Sequence, residues 1–141
     1  MTGSTAESMV AEARSRVENL TPMEVLAALD GDTLLVDVRE EQERRNDGFI
    51  PGDVFAPRGM LEFWADPESA HHRGEFDPER RVILYCASGG RSALAADTLQ
   101  RLGYGHVAHL DGGLRAWKEN GKMLDLPGEG SSEKEVETYD E

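Results

Sequence analysis

Val82-Ile83-Leu84-Tyr85 is an unbroken apolar run that stops at Cys86, and after Gly89-Gly90 it gives way to Ser92–Leu102, a stretch of good helix formers ended by Gly103. A run this short is a strand rather than a helix. Because it is apolar on both faces it must be buried on both, which requires helices above and below the sheet that holds it. The same pattern recurs along the chain. Leu34–Val38 is a second buried strand, followed by a short charged helix over Glu40–Asn46; Val54-Phe55-Ala56 is a short strand, followed by a helical piece over Met60–Ala65; and His106–Leu110 is a strand, followed by a helix over Leu114–Asn120 that Gly121 ends. Strands alternating with helices predict an α/β fold with a mainly parallel sheet covered on both faces.

The N-terminal part adds helices. Thr21-Pro22-Met23-Glu24 has the form of a capping box, with Thr21 as N-cap, Pro22 in the first helical position and Glu24 reaching back, so a helix runs to about Asp30 and Gly31 stops it. Ala6–Glu18 has Met9, Val10, Ala13 and Val17 near one face and is expected to pack as a helical arm. Ile50-Pro51-Gly52-Asp53 is a turn, and residues 66–80, punctuated by Pro67, Gly74 and Pro78, are a surface loop. The expected division is an arm over residues 1–20, a domain over 21–124 and an acidic, disordered tail over 125–141.

Charge narrows the partners. The chain of 141 residues carries 28 acidic and 15 Lys or Arg side chains, a formal −13, which argues against nucleic acid and anionic membranes as partners. The tail holds −6 of this and the rest of the chain −7, so the body is only moderately acidic. No stretch approaches the 18 or so apolar residues of a membrane span, and the N-terminus lacks the pattern of a secretory signal, so a cytoplasmic location is expected. With no long exposed apolar stripe, a monomer is expected too. Cys86 is the single cysteine, which leaves no intramolecular disulfide and no CxxC pair. His71, His72, His106 and His109 show no ligand spacing, and neither a metal site nor any other cofactor is expected.

The candidate chemistry lies in the six residues Cys86-Ala87-Ser88-Gly89-Gly90-Arg91. Ligand sites of open parallel sheets lie beyond the carboxyl ends of the strands, where Cys86 stands. Two glycines let backbone N–H groups of Ala87 to Ser92 turn inward, and the helix that follows adds positive potential at its N-terminus, so the loop suits an anion. A free cysteine is only a few per cent thiolate at pH 7, and helix N-termini and cations raise that share, which makes Cys86 a candidate nucleophile. Arg91 offers a planar fork to an oxyanion, and Ser88 and Ser92 offer hydroxyls. Each has a structural alternative: Cys86 as a small core residue, Arg91 as a strut at the helix end, Ser92 as the N-cap.

These segments resemble the rhodanese-like (sulfurtransferase) family, through LLVDVRE, GFIPGD, VILYCASGGRS and HLDGGLRAW in that order, over about residues 21–124. The resemblance implies a five-stranded mainly parallel sheet flanked by helices on both faces, and a CxxGxR loop made by Cys86, Gly89 and Arg91. It further implies that Cys86 takes a sulfane sulfur from a small anionic donor such as thiosulfate, a polysulfide or a persulfide. The sulfur is held as a persulfide and passed to a thiol, cyanide or protein acceptor. A Cdc25-type phosphatase loop has its arginine six positions after the cysteine, whereas Arg91 is five after Cys86, and the smaller ring suits sulfur. A phosphatase or arsenate reductase, and a non-catalytic binding or sensing module, are the alternatives.

Asp37 and Arg39 match the family's Asp-Val-Arg-Glu motif, with Arg39 placed to pair with Glu43. Arg58 follows the next strand and has two readings, a charge that faces the same mouth and steers an anion, or a solvated arginine. Phe49 and Asp53 stand where the family pattern has histidine and alanine, so the hydrogen bonding of that turn must differ. The loop also lacks the lysine that some thiosulfate-using members carry near their cysteine. Phe63 and Trp64 are candidates for the pocket wall, and Trp117, matching the end of the Asp-Gly-Gly-…-Trp motif, for packing.

Overall fold

A computed structural model describes residues 3–122 and 124. The chain runs α1 (Ala6–Arg16), β1 (Glu18–Leu20), α2 (Pro22–Ala28), β2 (Leu34–Asp37), α3 (Glu41–Asp47), β3 (Val54–Phe55), a 3-10 turn (Arg58–Met60), α4 (Leu61–Ala65), β4 (Val82–Tyr85), α5 (Gly90–Arg101), β5 (Val107–Leu110) and α6 (Gly113–Glu119). The five strands are parallel, in the order β1-β5-β4-β2-β3, which puts β4 in the middle of the sheet.

Side chains alternate across the sheet as the two-residue period of a strand requires. On one face Leu34, Val36, Val82, Leu84 and Val107 pack with Leu61, Ala65, Phe76 and the Ala95, Ala96 and Leu99 side of α5. On the other, Leu35, Ile83, Tyr85, Ala108 and Leu110 pack with Val25, Leu114 and Trp117 from α2 and α6. Burial on both sides is what the apolar runs demanded. Thr21 caps α2 through its hydroxyl on the Glu24 N–H, and Glu24 returns the bond to the Thr21 N–H.

Two differences from the sequence expectation bear on the cysteine loop, and the other bounds shift by a residue or two. The helix expected over Ala6–Glu18 ends at Arg16, Val17 is extended, and Glu18–Leu20 becomes the edge strand β1, paired with Ala108, His109 and Leu110. The stretch assigned to an arm thus supplies the fifth strand. With two of its three residues exposed, β1 has too little pattern to announce itself, and it is the open edge of β5 that makes it a strand. In α5, Gly89 rather than Ser92 is the N-cap, with φ +108°, so the helix begins at Gly90 and Ser92 falls in its first turn. The acidic tail, residues 125–141, lies outside the described residues.

Candidate active site

Cys86 follows β4 directly and is buried, 1% exposed. Its Sγ accepts the backbone N–H of Gly89 at 3.1 Å and of Ser92 at 3.4 Å. The left-handed turn at Gly89 brings its N–H back over the sulfur, a conformation open to glycine at no steric cost. The loop carbonyls turn the other way. Cys86 C=O accepts from Leu114 N–H at 2.8 Å and Ala87 C=O from Arg115 N–H at 3.1 Å, so the first turn of α6 satisfies its orphan donors on the backbone of the loop. A Cβ on Gly113 would lie 2.6 Å from the Cys86 and Ala87 carbonyl oxygens, which is why this junction takes glycine at φ +61°. What faces the sulfur from the backbone is therefore positive potential.

A hydrogen-bonded chain runs from the buried sulfur toward the surface. Sγ lies 3.5 Å from Ser92 Oγ; Ser92 Oγ lies 2.8 Å from His109 Nδ1; and His109 Nε2 lies 2.7 Å from Asn19 Oδ1. Asn19 Nδ2 donates to the carbonyls of Arg14 and Val17, each at 3.0 Å, which leaves Oδ1 to accept from His109 Nε2–H. Nδ1 is then the acceptor, and the Ser92 hydroxyl donates to it. Burial, with the Arg14 charge adding to it, pushes His109 down to about 4, against an upward pull from Asp111. The imidazole is therefore neutral at physiological pH. Neither His109 nor Asn19 stood out in the sequence: their link is a cross-strand pairing between β1 and β5, and β1 was not legible.

Arg91 forms a bidentate pair with Glu43, 2.8 and 2.9 Å, joining the start of α5 to α3. The hydrogen bonds from Arg91 hold Glu43 down at about 2, with further help from the Glu40 N–H and against the effect of burial. Arg39 does not pair with Glu43, contrary to expectation. It turns onto Asp37, with contacts of 2.9 to 3.2 Å, and donates to the Gly48 carbonyl at 2.7 Å, because full burial leaves it needing close acceptors and both Glu43 oxygens are taken by Arg91. Arg58 binds Glu62 at 2.9 Å and the Thr98 hydroxyl at 3.1 Å, two turns along α5 from the loop, instead of facing the sulfur. Ser88 is exposed, Trp64 lies under the Arg73 guanidinium at 3.7 Å, Phe63 is exposed and Trp117 is buried.

Arg44 is a fully buried cation that the sequence did not single out. It binds Asp37 at 2.7 Å and Asp53 at 2.7 and 3.2 Å, and its guanidinium stacks on Phe49 at 4.1 Å. Tyr85 donates its hydroxyl to Asp53 at 2.6 Å and accepts from the Ile50 N–H at 3.0 Å. The two departures from the family pattern thus belong together: Asp53 supplies the charge for Arg44, and Phe49 the face on which it rests. Because Tyr85 immediately precedes Cys86, this network fixes the end of β4.

Among the described residues no group of three or more His, Cys, Asp or Glu could hold a metal ion, and no helix is long and apolar enough to cross a membrane. A cleft of about 610 Å³ lined by Leu26, Leu29, Ile50, Pro51 and Trp117 opens elsewhere and includes no loop residue.

The site is thus a single cysteine at the carboxyl end of the central strand of a parallel α/β sheet, with the backbone N–H groups of Gly89 and Ser92 on its sulfur at the start of a helix. The chain belongs to the Rhodanese-like domain family, which it matches over residues 21–120. It is 34% identical over 96 residues to a sulfurtransferase of Allochromatium vinosum, covering 68% of this chain and 81% of that one. Among solved structures it is similar to a Rhodopseudomonas palustris protein of unknown function described as a possible tyrosine phosphatase (TM-score 0.84, 39% identity, covering 89% of this chain and 97% of the other). It is also similar to the polysulfide-sulfur transferase of Wolinella succinogenes (TM-score 0.70, 26% identity, covering 88% and 89%).

Proposed function

We propose that this protein is a sulfurtransferase that carries a sulfane sulfur on Cys86. The observation that carries the reading is the polarity of the loop. The sulfur accepts two backbone N–H groups while the Cys86 and Ala87 carbonyls are drawn off by α6, an arrangement that favours a sulfur bearing negative charge. In the forward step Cys86 thiolate attacks the outer sulfur of an anionic donor. With thiosulfate, a bond forms between Sγ and that sulfur, the S–S bond of thiosulfate breaks, and sulfite leaves with the electron pair. In the return step an acceptor attacks the outer sulfur of the persulfide and Cys86 departs as thiolate. One cysteine suffices, and no cofactor enters. Amides of Ala87 through Ser92 form the cradle, and Arg91, braced by Glu43, holds its far end.

The test is to incubate the protein with thiosulfate, polysulfide or a low-molecular-weight persulfide, record its intact mass, and then add cyanide and follow thiocyanate. Wild type gains one labile sulfur and releases it to cyanide, and Cys86→Ser gains none. Wild type that takes sulfur from none of the three donors would falsify the reading. The small donor, the thiol, cyanide or protein acceptor, the cytoplasmic setting and the monomeric state all belong to this proposal.

The likeness to a possible tyrosine phosphatase supports a second reading, phosphoryl transfer through Cys86. The five-residue spacing from Cys86 to Arg91 and the pairing of Arg91 with Glu43 weigh against it, because a phosphate would need that guanidinium free. Cys86-dependent turnover of an aryl phosphate, with no sulfur uptake, decides for it.

A further inference from the structure

Both arginines that the sequence offered to an anion are committed elsewhere, Arg91 to Glu43 and Arg58 to Glu62 and Thr98. A third guanidinium stands at the loop. Arg14, in the last turns of α1, places Nη2 3.2 Å from the point where a Cβ on Gly89 would lie, and Gly89 is the residue whose N–H is closest to Cys86 Sγ. Val10 Cγ2 stands 3.8 Å from the corresponding point on Gly90, so α1 lies over both glycines of the loop.

Arg14 is exposed, and the helix that carries it is held firmly. Ala13 and Val17 are buried on either side of Arg14 in sequence, and Arg16 clamps α1 to α5 through two hydrogen bonds to Asp97, 3.0 and 2.8 Å. Among the described residues no carboxylate pairs with Arg14, and the Asn19 side chain engages its carbonyl rather than its guanidinium. Its charge also acts below the loop, on His109. Arg14 lies outside residues 21–120, so the family domain does not itself supply this cation.

We propose that Arg14 selects for anionic donors at the Cys86 loop: its guanidinium pairs with the charged end of the donor while Sγ faces the sulfur to be transferred. The proposal rests on the persulfide reading for its substrate. Its physical basis is independent of it, since a planar, weakly hydrated fork with unused donors beside a ring of backbone amides recognises an oxyanion whatever chemistry follows.

The experiment separates charge from access. Iodoacetate and iodoacetamide alkylate the same sulfur by the same displacement, forming the S–C bond as iodide leaves, and differ in one negative charge. Since Cys86 is the only cysteine, the rates report on it alone. Arg14→Ala is expected to lower the ratio of iodoacetate to iodoacetamide rates by about three- to tenfold, the effect of a single partly solvated charge, with the iodoacetamide rate unchanged. Arg14→Glu lowers it further and Arg14→Lys restores most of it. The KM for thiosulfate rises by a similar factor in Arg14→Ala while the sulfur is still taken up. An unchanged ratio with an unchanged KM overturns the proposal. So does an equal loss of rate with both reagents, which marks a change in access or packing. If wild type takes up no sulfur at all, the persulfide reading fails and the alkylation ratio still decides the role of Arg14.

Discussion

Replacing Asp53 by alanine removes one charge from a buried cluster of four whose count is balanced: Asp37 and Asp53 against Arg39 and Arg44. The variant keeps an interior with one positive charge too many, and it also strands the Tyr85 hydroxyl that donates to Asp53 at 2.6 Å. Breaking a buried pair from one side costs about 3–5 kcal/mol. With unfolding entropy of about 2.1 cal/mol/K per residue, the roughly 120 described residues give about 0.25 kcal/mol/K, so the expected fall in Tm is roughly 12–20 °C. Arg44→Met/Asp53→Ala restores the count, leaving Asp37 with Arg39, and should be more stable than the sum of its single changes predicts by about 2 kcal/mol or more. Urea unfolding of wild type, both single variants and the double variant, followed by circular dichroism at pH 7, supplies the cycle. Single changes that are each worth less than about 1 kcal/mol, or that add without coupling, would refute the account of Arg44 and Asp53 as one neutral unit.

Three further outcomes are expected. Glu43, held at about 2 in the folded protein against an ordinary 4.5, contributes stability that is complete above pH 4.5 and lost as the pH falls toward 2. Both partners are about a third exposed, so solvent screening reduces this to about 1 kcal/mol. Glu43→Gln is therefore less stable than wild type by about that amount at pH 7 and equal to it near pH 2 in chemical-denaturation measurements. His109→Phe removes the acceptor that holds the Ser92 hydroxyl away from sulfur, so the hydroxyl can turn to the thiolate. Alkylation of Cys86 by iodoacetamide at pH 7 should change by up to about tenfold, and no change should remain when the same substitution is made in Ser92→Ala. Gly113→Ala drives a Cβ to 2.6 Å from loop carbonyls that cannot move without breaking two hydrogen bonds to α6, and sulfur uptake should drop at least tenfold even where the protein still folds.

The central strand, the cysteine loop and the helix after it are legible in the sequence because each is local: an apolar run, a pair of glycines, a stretch of helix formers. The roles of the arginines are not. Arg58 and Arg91 both have the right chemistry for an anion site; what assigns Arg91 is Glu43, 48 positions away, and what turns Arg58 along α5 is Thr98, 40 positions away, together with its neighbour Glu62. Arg14 was passed over for the complementary reason. Nothing in its own helix marks it, and it acquires a position only when α1 is laid across the loop. The Ser92–His109–Asn19 chain depends on a strand of three residues, exposed at two of them, that only a tertiary neighbour makes extended.

Pairing the first strand with the last also sets a timetable for the nascent chain. Glu18 pairs with Ala108, 90 positions later, so at about 5–20 residues per second the ribosome takes roughly 5–20 s to deliver the partner of β1. Until then Asn19 has no His109 to bind, and a few residues more are needed before Leu114 can grip the Cys86 carbonyl. Cys86 is thus made well before α6, whose first turn draws the loop carbonyls away from the sulfur, so the half-made chain holds the cysteine without the polarity of the finished loop.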